Sequence, residues 1–266
     1  MNASATALAT EPMLLRRREG PVETLTLNRP VQYNSISGAM IEDIRLALED
    51  ISRAEDVRAV VIAASGRAFC AGHDLKEMLA NRTHDFTREL FDRCCRMMMT
   101  IQRMPQPVIA RVHGMATAAG CQLVGMCDLA VAAESATFAT SGITLGLFCT
   151  TPGVAVARNL LRKNALEMLL TGEFIDARKA QAWGLVNRVV PDAELDVELK
   201  RLIDAIISKP RDAIALGKKV FYDQIELPIQ QAYGVASEAM ACNMMMENTA
   251  EGVSAFIAKR KPNWNL

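Results

Sequence analysis

The sequence predicts an α/β chain with a helical C-terminal part, and three observations carry this. Short apolar runs alternate with amphipathic helical stretches over the first half. Helix patterns fill most of the second half, around one short strand. Half of the 266 residues are hydrophobic, enough for one large core or two small ones without disulfides or a structural metal.

Residues 1–12 are small and mostly polar and are expected to form a frayed extension. Val22 to Leu27 alternates apolar and polar, the pattern of a half-buried strand. Met40 to Ile51 places Ile41, Ile44, Leu48 and Ile51 on one helical face, with Ser37 as N-cap. Val57 to Ala63 is a β-branched apolar run, as in a buried strand. A long helix is predicted from Phe86 to Met104, opened by His84 and Asp85 and stopped before Pro105. Pro107 to Val112 reads as a strand, Thr117 to Met126 as a helix and Leu129 to Ala133 as an apolar run. Thr151 and Pro152 read as N-cap and first helical residue, and Asp176 as the cap of a helix ending near Gly184. After a strand at Val186 to Val190, helices are expected over Asp192 to Ser208, Arg211 to Gln224 and Ile229 to Met246. The chain thus divides into the extension 1–12, a core at 13–204 and a helical region at 205–266.

Composition removes several function classes. Lys+Arg and Asp+Glu are each 30, so the basic surplus usual for a nucleic-acid partner is missing. No apolar run reaches the ~18 residues of a membrane span. The seven cysteines form no C-x-x-C pair, which points to a reducing compartment. His73, His84 and His113 lie far apart, and no metal site is expected. The start has no secretory pattern, so a soluble, cytoplasmic protein is expected, with an organellar matrix left open by the short extension.

Two segments can carry chemistry. Gly66 to Leu75 follows a predicted strand and contains a turn that can present backbone N–H groups; equally, its glycines can simply supply positive φ in a connection. His113 to Gln122 follows a second strand and opens a helix of small residues. The first N–H groups of a helix lack internal partners and can hold an oxyanion, although tight helix–sheet packing also selects Ala and Gly. Together, two such loops could donate to one oxygen and stabilise a developing thioester enolate.

These pieces, in their order and spacing, resemble the crotonase superfamily, the enoyl-CoA hydratase/isomerase family. The resemblance rests on Leu27 to Pro30 with Asn34, Phe69 to Met78, His113 to Ala132, Leu145 to Gly153 and Glu251 to Trp264. It is nearest to the enoyl-CoA hydratase domain-containing subgroup with A-A-G-C-Q and G-L-F-C-T-T-P-G. It implies a ClpP-like spiral of ββα units over 13–204 and C-terminal helices at 205–266 that build trimers or hexamers. It implies an acyl-CoA thioester as ligand, with no separate cofactor because the substrate carries the coenzyme A. The thioester oxygen would lie between the backbone amides of His73 and Ala119. The adenine would pack near Ala71, Arg29 would approach the phosphates, and Lys259 beside Phe256 would reach coenzyme A from a neighbouring subunit; the KRK run also fits a solvated tail.

One departure bears on activity. The two glutamates that hydratases of this family use are replaced by Gln122 and Gly142. A glutamine orients water but exchanges no proton at neutral pH, and a glycine has no side chain. Asp74, the His73 imidazole and Cys149 are the substitutes within reach in sequence, and Thr140 and Ser141 could position a water. Each also has a structural reading: a hydrogen-bonded Asp, a tolerated substitution, a small apolar filler. His113 is expected to satisfy a local hydrogen bond, and Asp128 and Glu134 to cap or pair. The runs Met97 to Met99 and Met244 to Met246, and the pair Cys94–Cys95, are expected to pack. Three readings follow: a hydratase- or isomerase-type enzyme with atypical acid and base, an acyl-CoA-binding protein without hydratase activity, or a structural trimer partner.

Overall fold

The computed structural model describes residues 11–264; most of the 1–12 extension lies outside them. The chain opens with an antiparallel hairpin, β1 (Leu14–Glu19) and β2 (Val22–Leu27), then α1 (Gly38–Arg53) and β3 (Ala59–Ala64). Ser37 caps α1 by accepting from the Met40 N–H. Next come β4 (Ala68–Cys70), α2 (Leu75–Ala80), α3 (His84–Arg103), β5 (Val108–Val112), β6 (Met115–Thr117), α4 (Ala119–Met126), β7 (Leu129–Ala133) and β8 (Thr137–Ala139). The rest is α5 (Thr150–Asn159), α6 (Arg162–Thr171), β9 (Ile175–Asp176), α7 (Ala177–Trp183), β10 (Arg188–Val190), α8 (Leu195–Ile207), α9 (Arg211–Gln224), α10 (Ile229–Met244) and α11 (Glu247–Ile257).

Two sheets result. The larger has the order β1-β2-β3-β5-β7-β10 and is parallel after its hairpin; the smaller has the order β4-β6-β8-β9, with β9 antiparallel. In β3, Val60 and Ile62 join one apolar cluster with α1, α3 and α4. Ala59, Val61 and Ala63 join another beneath α8. Burial on both faces is why this strand reads as an unbroken apolar run.

The structure corrects several sequence expectations. Residues 115–117 pair with β4 and β8 as a strand, so the helix expected from Thr117 begins at Ala119. The helix expected to open at Thr151 and Pro152 starts at Thr150, with Cys149 as its N-cap. The helix expected to reach Met246 stops at Met244, and a separate helix, α11, follows. Met97 and Met98 are buried in the main cluster, whereas Met99, Met244 and Met245 are exposed.

The C-terminal helices are tied to the core at one buried point. Lys218 of α9 donates to the carbonyls of Ile101 and Gln106 (2.7 and 2.8 Å) and pairs with Asp128 at 2.7 Å. The Tyr222 hydroxyl and the Val108 N–H also donate to Asp128. Burial pushes the Asp128 carboxyl up and the Lys218 ammonium down, each opposed by the other. Glu134, by contrast, pairs with Arg178 at the surface.

Candidate active site

The smaller sheet places two chain segments side by side. β4 leads into Ala71, Gly72 and His73, and β6 leads into Ala118 and α4. They touch so closely that a Cβ on Gly120 would lie 2.2 Å from the Cys70 carbonyl oxygen, and one on Gly72 would lie 2.8 Å from the Ala118 Cβ. Gly72 also has φ +92°, so two requirements select glycine there.

Ala118 has φ +51° and ψ −118°, a conformation that costs a residue with a Cβ roughly 1–3 kcal/mol. It is held from both sides: its N–H donates to Ala139 and its carbonyl accepts from Gln122. This turn leaves the Ala119 N–H at the first position of α4. Among the described residues, neither the Ala119 nor the His73 backbone N–H has a hydrogen-bond acceptor. Ile36 pairs with the flanking residues, accepting from Asp74 and donating to Gly72, and so leaves the His73 N–H unpaired.

Both residues line one cavity of about 120 Å³. Its walls are mainly apolar, with Leu75, Met78, Phe91, Leu145, Leu147 and Phe148 among them. Among the described residues, the polar side chains that line it are His73, Ser141, Cys149, Thr150 and Thr151, and none is a carboxylate. Ser141 shares a 2.7 Å hydrogen bond with Thr117.

The His73 ring stacks edge-on against Phe91, and both ring nitrogens are buried without a partner at hydrogen-bonding geometry. Burial lowers its pKa from 6.5 to about 4, weakly opposed by the backbone of Ile36. The imidazole is therefore neutral at pH 7. Because the folded pKa lies below the unfolded one, the unfolded chain binds the extra proton between these values. Stability is thus expected to fall as pH drops from 6.5 to about 4, by roughly 3 kcal/mol at 1.36 kcal/mol per unit. Urea unfolding across this window should show the loss in the parent chain and a flatter profile in His73→Asn; equal slopes would reject it.

The other sequence candidates fall in different places. Ala71 lines the cavity, and its N–H donates to Tyr33. Asp74 caps α2 through the N–H groups of Lys76 and Glu77 and pairs with Arg29 at 2.9 Å; it is absent from the cavity wall. Desolvation raises its carboxyl, but Arg29 and the two amides outweigh this and hold it below the usual range. Arg29 also donates to the Ser35 carbonyl, so its guanidinium is engaged within the chain. Thr140 is buried, donates to the Met168 carbonyl and does not line the cavity. Gln122 is buried and does not line the cavity, and its Oε1 has no partner. Phe256 and Lys259 are exposed and do not line the cavity of their own chain. His113 makes the expected local bond, to the Gly66 carbonyl.

Gly142 does line the cavity, and its surroundings explain the residue. A Cβ there would lie 2.5 Å from the Leu147 carbonyl oxygen and 2.8 Å from the Cys149 Sγ. A side chain cannot be added at this position without moving backbone, and the thiol occupies the space beside it. Sequence reading missed the apolar wall, because Phe91 on α3 and Phe148 before α5 meet only through the fold.

Residues 17–266 match the enoyl-CoA hydratase/isomerase family. The chain belongs to this family. It is 43% identical over 257 residues to the mouse enoyl-CoA hydratase domain-containing protein 3, mitochondrial, covering 96% of this chain and 86% of that protein. A crystal structure of an enoyl-CoA hydratase from Mycobacterium smegmatis superposes with a TM-score of 0.95 at 56% identity, covering 96% of this chain and all of that one. The human domain-containing protein 3 gives 0.92 at 43% identity, over 95% of this chain and all of that one. The fold is thus the crotonase fold, with parallel sheets, flanking helices and a helical C-terminal region.

Proposed function

We propose that this family member binds an acyl-CoA thioester with its carbonyl oxygen between the His73 and Ala119 N–H groups, and polarises it toward an enolate. The observation that carries this is the pair of open amides lining one cavity. Backbone donors fixed where charge develops stabilise it without reorganisation. A cavity of about 120 Å³, below the ~300–1,000 Å³ of pockets for drug-sized ligands, fits a short acyl group.

With no carboxylate among the described residues of the wall, water addition by paired glutamates has no counterpart here. Two readings of the site remain: turnover of an enoyl ester through other side chains, or binding without hydration. Self-association as a trimer or hexamer is part of the proposal. It is supported by the exposed Phe221, Tyr233, Met240, Phe256 and Ile257 on α9 to α11, and it would let Lys259 and Phe256 meet a neighbour's ligand. We place the protein in a reducing compartment on its cysteine usage. The cytoplasm is the sequence-based reading, whereas the vertebrate relatives are named mitochondrial. Among the described residues, no helix is long and apolar enough to cross a membrane.

A paired assay on one sample tests this: calorimetric titration with crotonyl-CoA, and loss of its conjugated-thioester absorbance. Binding is expected. Turnover that survives repurification would establish an enzyme, binding alone would reject hydration of this ester, and no binding would reject the proposal.

A further inference from the structure

Three hydrogen bonds flank the His73 amide and none of them uses it. The Ala71 N–H donates to the Tyr33 carbonyl at 3.0 Å, the Ile36 N–H to the Gly72 carbonyl at 2.7 Å, and the Asp74 N–H to the Ile36 carbonyl at 3.0 Å. Ile36 and His73 form a single parallel bridge, which spends the groups on either side of His73 and leaves its own N–H unspent. Where that amide sits therefore depends on where residues 33–36 sit. Asn34 fixes them. It is fully buried. Its Oδ1 accepts from the Arg29 N–H at 2.8 Å, while its own N–H donates to the Arg29 carbonyl at 2.9 Å, and this pair closes the turn. Its Nδ2 donates to the carbonyls of Ser65, which follows β3, and Ala68, which opens β4, both at 2.8 Å. Tyr33 and Asn34 have φ of 51° and 54°, a region few residues with a Cβ adopt and asparagine enters more readily than most. The same turn is packed against this connection, since a Cβ on Gly66 would lie 2.6 Å from the Pro30 Cβ.

We propose that Asn34 is a positioning residue of this site, holding the His73 N–H where it can receive a thioester oxygen. This rests on the thioester-binding reading above. Asn34 does not line the cavity and acts through backbone alone. One side chain joins the 29–34 turn to both sides of the β3–β4 connection, and the turn in turn grips the residues before and after His73. The residue type is specific. Aspartate would keep the left-handed backbone and the bond from Arg29, but would set an oxygen against the Ser65 and Ala68 carbonyls. Glycine would take the same φ and bridge nothing.

The test compares two probes by calorimetry on the full chain: crotonyl-CoA, and the thioether in which a CH₂ group replaces its carbonyl. Hydrogen bonds from two amides to the oxygen should make the parent bind the ester on the order of 10-fold more tightly. In Asn34→Gly and Asn34→Asp this preference is expected to fall to about 3-fold or less, since Ala119 alone would still donate. Thioether affinity is expected to stay at the parent value, which a general loss of structure would not allow. Circular dichroism and urea unfolding show which variants are folded, and one folded variant is enough for the comparison. An equal loss for both probes would mean that Asn34 holds the cavity as a whole, and failure of both variants to fold would make it a framework residue; either overturns the proposal. An undiminished preference in a folded variant overturns it too and leaves thioester binding standing. A parent that does not prefer the ester overturns the thioester reading, and this inference with it.

Discussion

Gly120→Ala is expected to weaken thioester binding. The added methyl group would stand 2.2 Å from the Cys70 carbonyl oxygen and 2.8 Å from both its carbon and its Cβ. Backbone cannot turn aside as a side-chain tip can, so α4 and β4 must separate. These two elements carry the His73 and Ala119 amides. Losing one such donor typically costs roughly 10²–10³-fold in turnover, whereas a ground-state hydrogen bond is worth about 0.5–1.5 kcal/mol, so calorimetry with an acyl-CoA should show affinity weakened by that amount or more. Overpacking should also lower unfolding stability by about 1–3 kcal/mol. Gly217→Ala is the contrast, because a Cβ there meets nothing within 4 Å on α9. It should stabilise by about 0.5–1 kcal/mol. Parent-like affinity in Gly120→Ala would show that the contact does not set the site.

Lys218→Met should lower stability by about 3–5 kcal/mol, the loss expected when one member of a buried ion pair is removed. The Lys218 side chain is 7% exposed and the Asp128 side chain 13%. Removal strands the Asp128 charge and two carbonyls, Ile101 and Gln106. The exposed pair Lys200–Asp204 is a control, worth ~0–1 kcal/mol. Urea unfolding gives the magnitude, and hydrogen exchange should show α9 opening first. Lys218→Met with Asp128→Asn should recover part of the loss, since the amide keeps an acceptor without the charge. A drop no larger than that of Lys200→Ala would mean that the clamp does not hold the C-terminal helices.

Much of the fold was legible because local chemistry reports it. Ser37 and Asp176 accept the N–H bonds a helix start leaves open, and both cap as read. The Val57 to Ala63 run matched a strand buried on both faces. Short elements were not legible. Residues 115–117 form a strand only because β4 and β8 lie on either side, and no period is measurable over three residues. The first strand, with Arg16, Arg17 and Arg18, reads as polar and is held by its hairpin partner.

The site divides along the same line. The two small-residue segments, the replacement of glutamate at 122 and 142, and the lack of charge for nucleic acid are properties of residue identity. They were complete in the chain as written. Which side chains face the cavity was decided by contacts between distant elements. Asp74 and Arg29, both site candidates on paper, spend their charges on each other. Gln122 is buried away from the cavity lining, and Cys149 is part of it. Gly142 reads as a deletion in the sequence; the carbonyl of Leu147 and the sulfur of Cys149 turn it into a position without room for a side chain. Identity fixes what a group can do, but burial and contact across the fold select which groups are left free to do it.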